Sequence, residues 1–272
     1  MIEYWFGEVS HKCSSFDELV LLDNYNDIIY IYCIWCKLTF LPKLPDSLIE
    51  LYCFGNQLTE IPELPNSLKR LCCSNNKLTM LPELPNSLED LNCENNHLTI
   101  IPNLPNCLRD LLCNSNRLTV LPKLPNNLIE LCCSYNQLTM LPKLPNSLIE
   151  LRCYYNQLTM LPELPNSLIE LSCFYNQLTF LPELPNSLEE LGCGSNRLTF
   201  LPKLPNLIKD YYYGGNPVYD YIQDKCGGNL EIYHKENKVF ANKIGEWFLK
   251  CKYNPKYKYC RDRVDKEYDE FF

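Results

Sequence analysis

Histidine is scarce in this chain, and long apolar segments are missing from it. Only 3 of the 272 residues are histidine, and they are dispersed as His11, His97 and His234. The sequence contains no Ser/His/Asp, phosphate-loop or metal-ligand motif, so it favours a protein that is not an enzyme and uses no cofactor or metal ion. The longest apolar run, Ile28 to Cys36, is too short for a membrane span, which needs ~20 residues.

Positive charge is also in short supply. The chain has 25 Lys and Arg residues against 33 Asp and Glu residues, a net charge of −8. An acidic surface is repelled by phosphate backbones and by anionic lipids, so nucleic-acid and membrane binding are not expected. The opening residues MIEYWFGEVSHK carry two acids and no apolar core of signal-peptide length. We therefore expect an intracellular protein with neither a signal peptide nor a transmembrane segment, in a compartment that keeps thiols reduced.

The dominant feature of the sequence is a 20-residue repeat that recurs without an insertion. Its frame is L-x-x-L-x-C-x-x-N-x-L-T, and one copy begins with Leu68, Leu71, Cys73 and Asn76. The first regular copy starts at residue 48 and the last at residue 188, with one degenerate copy on either side. Ten repeats therefore occupy residues 28–218.

The two flanks of the repeats are predicted to be caps, since a solenoid needs its open ends covered. Residues 1–27 are expected to form the N-terminal cap, and residues 219–272 a helical C-terminal cap. The second flank contains apolar residues at the spacing of one helix face, namely Phe240, Ile244, Trp247, Phe248 and Cys251. Asn254-Pro255 then ends the predicted helix.

The repeat frame resembles that of the leucine-rich-repeat family, whose core is L-x-x-L-x-L-x-x-N/C-x-L. The 20-residue length with L-P-x-L-P is similar to the short repeats of bacterial effector proteins. The cysteine at the second strand position, the P-N-S-L run and the ending YNPKYKYCRDRV are similar to the repeat proteins of amoebal giant viruses. The resemblance implies a solenoid with a curved parallel β-sheet on its concave side, in the host cytoplasm if the protein is viral.

Elementary stereochemistry supports the same architecture. Side chains alternate across a strand, so Leu71 and Cys73 are expected to point inward, while Arg70, Cys72 and Ser74 point outward. The L-P-x-L-P stretch has two prolines three residues apart, which exclude a regular helix and favour a polyproline-like run on the convex side. One repeat cannot bury its own apolar face, so neighbouring repeats must supply the core.

Two columns of the repeat are interpreted as structural. The resemblance implies that the repeated asparagine turns inward and bonds to backbone groups, in a set that comprises Asn56, Asn76, Asn96, Asn116, Asn136, Asn156, Asn176 and Asn196. The cysteine column, with Cys73, Cys93 and Cys113 as examples, could be a disulfide or metal ladder or a row of small buried hydrophobes. We favour the buried row, because zinc requires four ligands that converge tetrahedrally. The outward-facing Cys72 and Cys132 are interpreted as incidental.

The candidate partner-binding residues are aromatic and acidic. Three tyrosines recur in step in three consecutive repeats, two of them preceded by another aromatic residue. Aromatic residues beside an arginine are typical of binding hot spots, although stacking across strands would equally stabilise the sheet. The aromatic and basic candidates are Tyr135, Arg152, Tyr154, Tyr155, Phe174 and Tyr175.

Three glutamates complete the candidate set: Glu130, Glu150 and Glu170. They belong to an acidic column that precedes the strand leucine and is interrupted by Arg70. A negative stripe would attract a basic partner. The alternative is a solvated edge that discourages aggregation.

The combined pattern favours a protein-interaction module, a monomer whose concave face binds a protein, such as a host protein. A structural component of a viral particle or assembly is the first alternative. The second is a ubiquitin-ligase-like effector, because bacterial relatives append such a domain. Only 54 residues follow the repeats, too few for that domain, and a catalytic role for Cys226, Cys251 or Cys260 is the one enzymatic possibility that this alternative leaves.

Overall fold

A computed structural model describes residues 1–236 of the chain. The chain divides into two compact units, with the boundary after Pro217. The strands of the described residues lie in the first unit and form one sheet of 12 strands, in which the repeat strands follow chain order and two N-terminal strands extend the edge next to the first repeat strand. The second unit is described through helical segments only.

The N-terminal flank forms a hairpin that extends the sheet. It consists of β1 (Ile2–Phe6) and β2 (Val9–Cys13), followed by helix α1 (Phe16–Leu19) and a 3-10 turn (Tyr25–Asp27). β1 pairs antiparallel with both β2 and the first repeat strand. Ile2 is 1% exposed in β1, so the hairpin contributes to the core.

Each of the ten repeats contributes one strand of three residues. The strands are β3 (Tyr30–Tyr32), β4 (Glu50–Tyr52), β5 (Arg70–Cys72), β6 (Asp90–Asn92), β7 (Asp110–Leu112), β8 (Glu130–Cys132), β9 (Glu150–Arg152), β10 (Glu170–Ser172), β11 (Glu190–Gly192) and β12 (Asp210–Tyr212). They pair in parallel and in register, so that Leu171 lies beside Leu151 and Leu191. The predicted solenoid with a parallel repeat sheet is confirmed. The two antiparallel strands of the hairpin are an addition, because Ile2 to Cys13 lie outside the repeat pattern.

The core is built from the leucines and cysteines of the repeat frame. Leu71 is 1% exposed and Cys73 is fully buried, as the alternation of side chains requires. Burial raises the pKa of the Cys73, Cys93 and Cys113 thiols, so they stay protonated and pack as small apolar groups. The described cysteines are free.

Burial departs from the simple repeat pattern at four positions. Ser74 and Cys132 lie at positions that the strand alternation turns outward, yet they are only 6% and 2% exposed. Tyr211 occupies the strand-leucine position of the last copy, yet it is 43% exposed, since β12 is the last strand of the sheet. Cys72 is half-buried rather than fully exposed.

The repeated asparagine side chain joins neighbouring repeats. Asn96 donates from Nδ2 to the carbonyl oxygens of Cys73 and Cys93 at 3.0 and 3.1 Å. Its Oδ1 accepts from the backbone N–H of Leu78 at 3.0 Å. The same pattern recurs at Asn116 and at Asn196. Backbone groups that the loop leaves without a strand partner are thereby satisfied.

The return segment of each repeat is extended and ends in a turn. In one copy, residues 61–65 have no helix or strand hydrogen bonding, and a turn follows at Asn66 and Ser67. The Ser67 hydroxyl donates to the carbonyl oxygen of Leu48 at 2.7 Å. In this segment Ile61 is buried, Leu64 three residues later is partly buried, and Glu63 between them is exposed, which is consistent with the three-residue period of a polyproline helix.

Helix α2 (Pro217–Cys226) starts at the last residue of the first unit and otherwise belongs to the second. Proline at the first helical position is favourable because its missing N–H would have no partner there. Val218, Ile222 and Cys226 lie on one face and are buried, and residues 230–236 are also helical. The helix predicted around residues 240–251 lies outside the described residues.

Within residues 1–236, the helices are too short and too polar to cross a membrane.

Candidate functional site

Three tyrosines form a continuous stack along the solenoid. The Tyr135 and Tyr155 rings are 4.6 Å apart between centroids and 10° from parallel. The Tyr155 and Tyr175 rings are 4.3 Å apart and 11° from parallel. The stack arises because each tyrosine follows its strand by three residues, and the strands are in parallel register.

The backbone at these tyrosines is in the left-handed region. Their φ angles are 53°, 52° and 52°, which are unfavourable for bulky side chains and cost on the order of 1–3 kcal/mol each. The same position has positive φ in the other repeats, where it carries Trp35, Gly55, Asn75, Asn95, Ser115, Ser195 and Gly215. Glycine and asparagine are the residues that this conformation favours. The tyrosines are therefore present despite the backbone, and their rings must account for their presence.

A second stack completes what we call the aromatic patch, defined as Tyr135, Tyr154, Tyr155, Phe174 and Tyr175. The Tyr154 and Phe174 rings are 4.4 Å apart and 9° from parallel. The two stacks meet edge to face, as in the pair Tyr135–Tyr154 at 5.5 Å and 82°. Stacked and edge-to-face pairs are the favourable aromatic geometries.

The aromatic patch presents an open depression to solvent. Tyr135, Tyr155 and Tyr175 are 49%, 38% and 50% exposed. A depression of about 490 Å³ is lined by these tyrosines together with Asn136, Asn156, Asn176 and Ser195. Desolvation by neighbouring rings and a hydrogen bond with Tyr175 raise the pKa of Tyr155, so its hydroxyl is neutral at pH 7. The surface is apolar with neutral polar groups at its edge.

Arg152 is paired with two of the candidate glutamates. Its Nη1 lies 2.7 Å from Glu150, and its Nε and Nη2 donate to the two carboxylate oxygens of Glu170 at 2.9 and 3.1 Å. The arginine side chain is 40% exposed and each carboxylate 23%. Two of the three candidate glutamates are therefore partly neutralised, and a partner would meet Arg152 as part of an ion-paired cluster.

The in-register pairing of the strands aligns the residues of the acidic column. Asp90, Asp110 and Glu130 are neighbours in the ladder. Desolvation, a hydrogen bond with Asp90 and the adjacent charges raise the pKa of Asp110 to about 6. Near the N-terminal end of the column, Arg70 lies 2.7 Å from both Glu50 and Asp90 and offsets part of their negative charge.

Cys132 lies beneath the carboxylates of the acidic column. Its Sγ is 3.2 Å from Glu130 and 3.9 Å from Glu150, and desolvation raises the pKa of the thiol. The three ligand atoms lie within 4.8 Å of one another, which is a spacing that a cation could bridge. Arg152 already contacts the same Glu150 oxygen, so this group does not offer a free set of converging ligands, and we assign no metal to it.

One exposed row was missed by the sequence reasoning. The residue that follows Leu-Thr is apolar and 48–65% exposed in eight repeats. We call these residues the apolar stripe, which comprises Phe40, Met80, Ile100, Val120, Met140, Met160, Phe180 and Phe200. The sequence does show an apolar residue directly after the Leu-Thr of the repeat frame. The frame alone does not indicate that the side chain at this position faces solvent.

One protein-family model matches part of the repeat region. Residues 46–86 match the model for leucine-rich repeats in two copies. No curated protein gives a significant match to the chain.

Solved structures of bacterial proteins resemble the chain. YopM from Yersinia enterocolitica is 41% identical with a TM-score of 0.67, over 67% of this chain and 41% of that one, so this chain spans less than half the length of that relative. YopM from Yersinia pestis, described as a leucine-rich effector protein, is 28% identical with a TM-score of 0.41, over 69% and 77% of the two chains. A Shigella effector domain is 27% identical with a TM-score of 0.43, over 74% and 77%. The protein is a leucine-rich-repeat solenoid, and its repeats are similar to those of YopM from Yersinia enterocolitica.

Proposed function

We propose that the protein is an interaction module that binds a protein partner through the aromatic patch. The observation that carries the proposal is the exposed stack of Tyr135, Tyr155 and Tyr175 on left-handed backbone. Sheet stability alone does not require aromatic residues there, since other repeats fold with asparagine or serine at the same position. Clustered, exposed aromatic rings are the usual anchors of protein interfaces.

The chemistry of the patch suggests a partner with apolar anchors and basic residues around them. The depression between the tyrosines would receive the anchors. Glu130, Glu150 and Glu170 lie on the strands that precede the three tyrosines, where they would attract and orient basic groups. Arg152 would hold two of these carboxylates in position during binding. Solenoids commonly present such extended surfaces to their partners.

A pull-down with quantification of the captured proteins tests the proposal. Tyr135, Tyr155 and Tyr175 are replaced together by asparagine, the residue that Asn75 and Asn95 carry at the equivalent backbone position. The matched control is Trp35→Asn, since Trp35 is also an exposed aromatic residue with positive φ. Amoebal lysate is the appropriate source, given the resemblance to giant-virus repeat proteins.

The proposal predicts a partner that is captured by the wild type and by Trp35→Asn and is lost with the triple variant. Equal capture by all three proteins would show that binding does not use the aromatic patch. Capture of no protein by the wild type would instead favour the structural-component alternative.

A further inference from the structure

The apolar stripe is continuous over the C-terminal six of its repeats. Ile100, Val120, Met140, Met160, Phe180 and Phe200 occur at one position in six consecutive repeats, and each is 48–59% exposed. Soluble monomers rarely expose apolar surface in so long an uninterrupted row, and such surface usually marks an interface. The stripe does not overlap the aromatic patch, because it lies in a different segment of each repeat.

A charged row runs beside the apolar stripe. A polyproline-like segment has three residues per turn, so the residue three places after each stripe residue lies on the same outward face. These residues are exposed in every copy. Over the same six repeats they are Asn103, Lys123, Lys143, Glu163, Glu183 and Lys203.

When this row is aligned with a second copy of itself that runs in the opposite direction, opposite charges lie together. Two lysines, Lys123 and Lys143, are followed in the next two repeats by Glu163 and Glu183. When a second copy runs in the opposite direction, with a two-fold axis between the repeats of Lys143 and Glu163, each of these two lysines faces a glutamate, and Lys203 faces the neutral Asn103. Lys143 faces Glu163 of the second copy, and Lys123 faces Glu183 of the second copy.

We propose that two copies of this chain associate in antiparallel orientation through the apolar stripe and the charged row. The same two-fold axis brings Met140 against Met160 of the second copy and pairs Val120 with Phe180. A self-complementary contact of this type is the usual geometry of homodimers. This differs from the monomer expected from the sequence, where the exposure of the stripe was not apparent.

The available area is sufficient for a reversible dimer. Six repeats spaced by ~4.8 Å and a face six extended residues wide, ~19 Å at ~3.1 Å per residue, would bury on the order of 1,100 Å² in total over the two copies. That area lies near the lower bound of specific protein interfaces, which bury at least about 1,000 Å².

Two other arrangements of two copies are less favourable. A parallel arrangement in register would place every lysine against the same lysine of the second copy. An antiparallel arrangement centred on Asn103 would pair unlike charges, but it would bury the carboxylate of Glu60 against Met140.

Sedimentation velocity of the full chain as a function of concentration tests the dimer. Met140→Glu places a charge in the apolar contact and should raise the dimer dissociation constant at least about tenfold. Met80→Glu is the matched control, because Met80 is in the same stripe and 65% exposed but lies outside the six-repeat overlap. We expect it to dimerise like the wild type. Thermal melting should show that both variants remain folded.

A charge exchange tests the register. Lys143→Glu and Glu163→Lys should each weaken the dimer, because each variant brings like charges together. An equimolar mixture of the two variants should dimerise more strongly than either alone, since the acids of one variant then face the lysines of the other. A wild type that stays monomeric at every concentration, or a mixture no better than its components, would overturn the proposal. Binding of an unrelated protein or of lipid vesicles by a monomer through this stripe would also overturn it.

Discussion

Tyr155 and Tyr175 stack face to face with their ring centroids 4.3 Å apart, although each has a φ angle of 52° that disfavours a bulky side chain. The stacking follows from the 20-residue period, which places the two rings on adjacent strands in register. The unfavourable backbone indicates that the rings contribute something beyond backbone geometry. We infer that this contribution is recognition of a partner, and the stability of single variants can separate it from a purely structural role.

The variant Tyr155→Asn should be only mildly destabilised. It loses two stacking contacts, each worth about 0.5–1.5 kcal/mol, but asparagine tolerates the left-handed backbone better and offsets part of the loss. We expect a decrease in unfolding free energy below about 2 kcal/mol, measured by urea denaturation. Tyr155→Val should be clearly less stable than Tyr155→Asn, because β-branched residues are outliers at positive φ. Equal stability of the two variants would show that the backbone argument does not hold.

The asparagine column should be far more sensitive than exposed asparagines. Asn96→Ala leaves the buried N–H of Leu78 without its side-chain partner. The carbonyl oxygens of Cys73 and Cys93 each lose one donor but keep the amide of Asn76 or Asn116. An unsatisfied buried group costs about 1–3 kcal/mol, so we expect a loss of about 1–3 kcal/mol in chemical denaturation. The control Asn66→Ala, in an exposed turn, should change stability by less than about 0.5 kcal/mol. A small loss for Asn96→Ala would contradict the proposed ladder.

The carboxyl group of Asp110 should make stability depend on pH. Its pKa is raised to about 6 in the folded protein, above the value of about 3.9 expected in the unfolded chain. The folded state therefore binds the proton more tightly, and this group's contribution to stability declines as pH rises from about 4 to about 6. After allowance for solvent screening, the effect is on the order of 1 kcal/mol.

The variant Asp110→Asn removes that titration and tests it. Its amide can still donate a hydrogen bond to Asp90, so it should be more stable than the wild type at pH 7.5 and no more stable at pH 4. Melting temperatures at the two pH values give the answer. Glu190→Gln is the control, since Glu190 is exposed on β11. A stabilisation of Asp110→Asn that is the same at both pH values would rule out the titration of Asp110 as its cause.

The repeat period made much of the fold predictable. The positions of Leu71 and Cys73 in the frame correctly indicated burial, and the absence of insertions correctly indicated strands in register. The N-terminal hairpin was not predictable in this way, because β1 and β2 lie outside the repeat and pair antiparallel. The depth of Cys132 also depends on a neighbouring strand, where Arg152 lies beside it.

The candidate site was predictable only as a set of residues. The period aligned Tyr135, Tyr155 and Tyr175, and the structure shows them stacked. A tyrosine does not predict a positive φ angle. Asn75 and Gly55 at the equivalent positions of other repeats did indicate it, because these residue types favour that conformation. The pairing of Arg152 with two glutamates depends on side-chain conformation, which the sequence does not specify.

Site-specific photo-crosslinking tests the central claim most directly. A photoreactive phenylalanine analogue replaces Tyr155, or Trp35 in the control, and the full chain is irradiated in amoebal lysate. The account predicts a protein adduct that forms from position 155 and is absent from position 35. If position 155 gives no adduct, or if both positions give the same adduct, the aromatic patch is not the binding surface.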